Sequence, residues 1–476
     1  MRVPLVAALV IALCPVLAVA QDAKPDAGKE SAAEPVTSRV PLEEIRRYVA
    51  VYNAVRAAYV DPVEDTKLMQ SAIRGLLLDL DPHSTYFDKE DAQAFDEKAT
   101  GAYEGIGVEL LQQKDSLKII APIDDTPAAK AGLQAGDLIV AIDGKPISAI
   151  KASEPLRGAR GTKVVLTLMR EGRAEPFDVT VARETIRITS VRSRMLEPGY
   201  GYVRLATFQA DTGADFQKHL AQLQAQAGGK LKGLVLDLRS NPGGLLTAAV
   251  QVADDLLDSG GIVSTRGRIA ISDARFDATP GDLMHGAPVA VLVDAGSASA
   301  SEVLAGALRD NKRARIIGSR TFGKGSVQTV LPLDNGDSVK LTTARYYTPS
   351  GKSIQATGIV PDVELVSERA PDTRAISRLV AEYSEATLPG HLRGDEEEAA
   401  NLRPGTALPG DGPINAALAE LKAPGSTPSV EAQLAAREQR ASKPEHGADA
   451  NTEPAKDGAE AAAGNSGGDD KPVNPR

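Results

Sequence analysis

Disulfide chemistry is closed to this sequence: its one cysteine, Cys14, lies inside an apolar N-terminal stretch, and no second one follows. There is no tryptophan, and aromatic residues make up only 4% of the chain, so no platform for stacking single-stranded bases is visible. Basic residues are outnumbered, 54 Lys and Arg against 64 Asp and Glu, giving a net charge of −10. That balance argues against a nucleic-acid partner held through its phosphates. The five histidines, His83, His219, His285, His391 and His446, are scattered. None belongs to an H-E-x-x-H metal motif or a recognisable triad, so neither a metal nor a serine–histidine pair is indicated. Beyond the N-terminal stretch no segment is long and apolar enough to span a bilayer.

What is present begins with "MRVPLVAALVIALCPVLAVA", one basic residue, an apolar run and the small-x-small ending Ala18-Val19-Ala20. This reads as a secretory signal with cleavage before Gln21. Pro15 breaks the run, which disfavours a retained anchor, and Leu13 is bulky for a lipoprotein cleaved at Cys14. An exported chain without cysteine relies on its core alone. The expected organisation is a signal peptide over 1–20, a polar linker over 21–40 and a helical region over 41–98. A small β module over 99–186, an α/β region over 187–365, a partly helical region over 366–440 and a disordered tail over 441–476 complete it.

Apolar residues at Ile45, Tyr48, Val49, Tyr52 and Val55, then Leu68, Ile73, Leu76 and Leu77, recur at helical spacing, and "LDPHS" makes a turn. Strand-like alternation around a Gly-rich loop follows in "GAYEGIGVELLQQKDSLKIIAPI". From residue 188 short apolar strands ("GYVRLATF", "GLVLDLR", "VAVLVD", "ARIIGS") alternate with helices predicted over 214–226, 245–257 and 299–311. That is the pattern of βαβ units around a largely parallel sheet.

"GSRTFGKGSVQ", residues 318–328, resembles a phosphate loop with Gly325 where a hydroxyl should stand. A phosphate loop needs a helix after its lysine. Val327, Thr329 and Val330 make the continuation a strand, so no nucleotide is expected. If 324–330 is extended, Lys324, Ser326 and Gln328 share a face.

In "VLVDAGSASASEVLAGALRDN" a strand runs through Gly296 into a helix, and Ser299 with Glu302 forms its capping box. Ser299 at such a turn is equally a cap and a candidate nucleophile, exposed beside free N–H groups at a helix start. The segment "DLRSNPGGLL" tips the balance, because paired glycines let a backbone N–H approach a reacting oxygen. With no histidine placed, Lys324 is the candidate base. Its ordinary pKa of about 10.4 must fall by roughly 3 for that role. Gln328 is suited to orient the amine without adding charge. The S-x-x-K match at Ser148 to Lys151 lacks its companion motifs and is read as chance.

Over residues 42–365 the motifs "LDPHS", "GIGVEL", "AGLQAGDLIVAIDG", "DLRSNPGG", "GSASASE", "GKGSVQ" and "ARYYTPSGKSIQATGIVPD" occur in order. In this the chain resembles the carboxyl-terminal processing peptidases, the tail-specific proteases of serine peptidase family S41. The resemblance implies an α/β multidomain protein, with a Clp-protease/crotonase-like core, a PDZ-like β module and N-terminal helices. It assigns Ser299 as nucleophile, Lys324 as general base and Gln328 as the accompanying glutamine. Oxyanion donors would be the N–H groups of Ala300 and of Gly243, the latter favoured over Gly244. Gly105, Ile106, Gly107 and Val108 match the PDZ loop that holds a terminal carboxylate while the peptide adds as a strand. Arg157 either couples the PDZ module to the protease site or is an ordinary surface arginine. The expected protein is a periplasmic or secreted endopeptidase acting on protein substrates with free apolar C-termini. It would be a homodimer or higher homo-oligomer with an activating adaptor, and would need no cofactor. Two rivals are a non-catalytic PDZ scaffold and a crotonase-like enzyme of acyl thioesters, which the signal and peptide-binding module oppose.

Overall fold

The computed structural model describes residues 40–113, 115–123, 125–149, 154–269, 272–366, 384–397 and 405–441. The signal, most of the linker, all but the last four residues of the helical pattern expected over 372–387, and the tail from 442 lie outside these residues. Two compact units divide the chain after Gln70. In the first, the helix Leu42–Ala58 buries none of its side chains. Within that unit Tyr48 donates its hydroxyl to the Met69 sulfur at 3.4 Å, and Arg56 pairs with Asp65 at 3.2 Å. A second helix spans Asp65–Leu78.

In the larger unit, after the end of that helix, come the short strand Thr85–Phe87 and the helix Lys89–Thr100. Asp88 caps this helix by accepting the Asp91 N–H at 2.9 Å, and Gly101 ends it in the left-handed region at φ 70°. A two-stranded ribbon, Ala102–Gly105 against Glu184–Arg187, then leads into and out of the β module. Its main sheet runs 108–112, 117–122, 138–142, 163–169, 177–182, all neighbours antiparallel, with Lys145–Pro146 paired beside 138–142. Alternation along Lys163–Met169 sends Val164, Leu166 and Leu168 inward to meet Ile106, Leu117, Ile119, Ile139 and Val181. Each fully buried aliphatic side chain of this kind contributes about 2 kcal/mol.

The α/β region is built on a six-stranded sheet in the order 191–197, 200–205, 233–237, 289–293, 314–318, 363–364. Only the first pair is antiparallel. Gly233–Asp237 and Val289–Val293 are buried at every residue, as central parallel strands covered on both faces must be. On one face Leu234, Leu236, Val289, Val291 and Ile316 pack with the helices Thr212–Gln226, Leu246–Leu256 and Ala300–Asp310. On the other, Val235, Ala290, Leu292 and Ile317 meet Ile414 and Ala417 of the helix Gly412–Lys422. The weak helical pattern near 413–422 is therefore the lid of the sheet's second face.

A second, antiparallel sheet is centred on the long strand Ser338–Tyr347, flanked by Thr85–Phe87, Gly261–Gly267 and Ser326–Pro332, with Ala274–Asp277 beyond. Of these strands, the sequence pattern anticipates the one after Lys324. Three-residue Thr85–Phe87 carries too little periodicity to be read, and its partner lies some 250 positions away.

Candidate active site

Three serines at alternate positions follow the central strand Val289–Val293, and their surroundings separate them. Ser297 and Ser301 are wholly buried, and their hydroxyls donate to the carbonyls of Leu238 (2.8 Å) and Asn241 (3.0 Å). Ser299, between them, keeps 8% exposure. It is the N-cap of the helix Ala300–Asp310, with Glu302 at the third position of a capping box. Its backbone is strained for a residue with a Cβ, at φ 55° and ψ −115°. The turn is over-determined around it: Ala298 N–H donates to Asn241 O at 3.0 Å, and Asp294 accepts the N–H groups of Ser240 (2.7 Å) and Gly296 (3.0 Å).

Glu302 does more than cap. It is fully buried, and its Oε2 accepts the N–H of Ser299 at 2.7 Å and the N–H of Lys324 at 2.9 Å. Its Oε1 accepts the N–H of Gly323 at 2.7 Å and the Thr321 hydroxyl at 2.5 Å. Burial pushes its pKa up to about 7, against the pull of those four donors. Three of the four partners are backbone N–H groups, which can only donate, and they favour the carboxylate. The site is built for the carboxylate. One side chain thus joins the serine turn to the lysine loop, which sequence reading had registered only as a helix cap.

The loop 319–325 joins the strand Ala314–Gly318 to the strand Ser326–Pro332, with no helix after Lys324, so the phosphate-loop alternative has no support here. Lys324 is largely withdrawn from water. Burial first, then the like charge of Lys340, hold its pKa down at about 8 against the carboxylates of Glu385, Glu302 and Asp81. Gln328 does not make the bond expected of it. The strand begins at Ser326, so its period of two aligns 326 with 328 and does not reach back to Lys324, and the register shift beside Gln328 skips Thr343 on the facing strand. The Gln328 amide donates to the Ser326 hydroxyl at 2.9 Å and to the Thr342 hydroxyl at 3.3 Å. Thr342 in turn donates to Asp81, which also accepts from His83 N–H and Ser84, so the "LDPHS" turn docks beside Gln328.

Gly243 sits against the Ser299 turn. At φ 102°, a Cβ there would lie 2.8 Å from Ala298 O and 2.9 Å from Ser299 Cβ. Its N–H donates to Asn241 Oδ1 at 2.9 Å, so as an oxyanion donor it must leave that acceptor. A Cβ on Gly244 would instead meet Phe208. The Ala300 N–H has no acceptor among the described residues, as the first turn of a helix leaves it.

Tyr346 was not singled out from sequence. Its N–H donates to Gly325 O at 2.7 Å, and burial pushes its phenol up to about 12, with the Ser299 hydroxyl pulling the other way. In the β module Ile106 belongs to the core, its carbonyl accepting Ala128 N–H at 2.9 Å, and Gly107 turns at φ 80° against Thr126. Gly105 precedes them in the ribbon, and among the described residues the strand starting at Val108 pairs on one side only, with Leu117–Pro122, as an edge of its sheet. Arg157 pairs with Glu97 and lies 5.4 Å over the Tyr103 ring, with no contact to Ser299 or Lys324.

Comparison with known proteins places a peptidase family S41 model on residues 199–365, a PDZ domain model on 118–170 and an activating protease CtpB N-terminal domain model on 12–91. A carboxy-terminal-processing protease of Bartonella bacilliformis is 45% identical over 359 residues, 75% of this chain and 82% of that protein. The carboxy-terminal processing protease CtpA of Bacillus subtilis is 34% identical over 319 residues, 66% of this chain and 67% of its own. Among solved structures, a photosystem II D1 C-terminal processing protease is 32% identical, covering 72% of this chain and 98% of its own at a TM-score of 0.40.

Proposed function

The chain belongs to peptidase family S41, and from that premise we propose that this PDZ-bearing serine-type peptidase cuts exported proteins with free apolar C-termini by a Ser299–Lys324 mechanism. The observation that carries the mechanism is the pair of N–H groups, of Ser299 and of Lys324, held on the single oxygen Glu302 Oε2. The neutral amine of Lys324 takes the Ser299 hydroxyl proton as Oγ attacks the scissile carbonyl. The Ala300 N–H, with that of Gly243 once released from Asn241, holds the oxyanion. Protonated Lys324 then passes its proton to the leaving amine. Freed of it, Lys324 deprotonates the water that attacks the acyl-enzyme and regenerates Ser299.

The substrate's tail adds along the strand Val108–Gln112, with its carboxylate on the loop 105–108. The N-terminal signal pattern supports export to the periplasm or beyond, and the N-terminal helices support a homodimer or larger oligomer answering to an activating adaptor.

The test is cleavage of a loosely folded protein ending in a free apolar C-terminus, against the same protein with an amidated tail. Wild type is expected to prefer the free tail by roughly 10-fold or more in KM, as loss of a carboxylate contact implies. Ser299→Ala is expected to lose at least about 10³-fold in kcat. Equal cleavage of both tails would remove the PDZ part of the reading. Tight tail binding with no cleavage by wild type would favour the scaffold.

A further inference from the structure

The lysine loop is held from a second side by chain that lies past the S41 match, which ends at residue 365. Among residues 384–397 stands Glu385, 1% exposed. Its N–H donates to Phe322 O at 3.0 Å, two residues before Lys324. Its Oε1 accepts the Gln355 amide at 3.0 Å, and Gln355, fully buried, accepts the Gly325 N–H on Oε1 at 2.9 Å. The His83 ring nitrogen Nε2 meets the Glu385 carboxylate at 2.8 Å and 3.0 Å. The Gln355 amide also donates to Leu392 O at 2.9 Å, and Arg345 pairs with Asp395 at 3.0 Å, so the segment is pinned at several points. Lys324 is bracketed: Glu385 grips the residues before it by its backbone and the residue after it through Gln355. Glu302 faces the same loop from the serine side.

We propose that Glu385, with His83 and Gln355, is a positioning residue that clamps the loop carrying Lys324, which makes the segment 384–397 part of the catalytic apparatus. The proposal rests on Lys324 being the base. A loop whose polar backbone is satisfied from both sides holds the amine in one place without touching it. A misplacement of about 1 Å in such a group costs up to about 10²-fold in rate. The carboxylate of Glu385 also reaches Lys324 through space, together with Glu302 and Asp81 and against the like charge of Lys340.

Two variants and one control test this. Glu385→Ala is expected to lower kcat by roughly 10- to 100-fold, with KM for a tail-bearing substrate within about twofold. Amide exchange should rise at 322–325. Glu385→Gln, whose amide oxygen still accepts from Gln355, is expected to recover most of the lost kcat. Having lost a negative charge that favours the ammonium, it should also move the acid limb of the pH–rate profile to lower pH. A purely structural role predicts lost thermal stability with no movement of that limb. Full kcat in Glu385→Ala, or an unmoved limb in Glu385→Gln, would overturn the clamp. The control is Lys324→Ala: activity retained there would refute the base assignment itself, independently of what Glu385 does.

Discussion

Lys324→Met is expected to do two opposite things: abolish most of the activity and make the protein more stable at pH 7. The rate should fall by about 10³-fold or more, since a general base contributes up to about 10⁴. The stability gain follows from the lysine's displaced pKa. Burial holds the folded-state value near 8, where an unperturbed lysine stands at 10.5. The unfolded chain therefore binds the proton more tightly than the folded one, and stability rises with pH between those two values. At pH 7 the folded protein carries the whole cost of confining an ammonium ion, about 3 kcal/mol at most. Methionine fills a similar volume without that cost. A higher melting temperature in the inactive variant is thus expected, measured by calorimetry at pH 7. A lower one would mean that Lys324 is held by interactions as good as water's.

Glu302→Ala is expected to be the most damaging single change in the site. It strands three backbone N–H groups and one hydroxyl in a fully buried place. At about 1–3 kcal/mol for each unsatisfied group, the total approaches the stability of a whole domain. Glu302→Gln is expected to be nearly as harmful to catalysis, because its NH₂ would face donors where the carboxylate faced them as an acceptor. A kcat loss of roughly 10²-fold or more for the amide is expected, with the fold retained. The same group shapes the pH response. As pH falls through about 7, Glu302 takes up a proton, and Lys324 has already begun to do so near 8. Activity should therefore fall on the acid side with a slope steeper than one ionisation gives. A single clean ionisation in wild type, or a Gln variant with full kcat, would contradict this role.

The sequence carried the α/β core well because its signals are local. The strands "GLVLDLR" and "VAVLVD" and the helix after Ser299 announce themselves by apolar runs and a cap, and they appear as Gly233–Asp237, Val289–Val293 and Ala300–Asp310. Ser299 and Lys324 were legible as residue types in the right turn and loop. What joins them was not. Glu302 looked like one more helix cap, since the N–H groups it accepts from Gly323 and Lys324 lie more than twenty positions downstream. Tyr346, Gln355 and Glu385 carry no local pattern of catalysis, and only the folded chain brings them to the lysine loop. The misjudged detail was Gln328. Alternation does align Ser326 with Gln328, but the strand starts only at Ser326 and does not carry the pattern back to Lys324, so the Gln328 amide is taken up by Ser326 and Thr342.

The central claim is that Ser299 is a nucleophile activated by Lys324. The most direct measurement is intact-mass and peptide mapping of the protein after reaction with a fluorophosphonate, followed across pH. The account predicts one adduct, on Ser299, forming at a rate that rises with pH about a midpoint near 8 and that collapses in Lys324→Met. An adduct on another serine, or labelling of Ser299 at the same rate with and without the lysine, would contradict it.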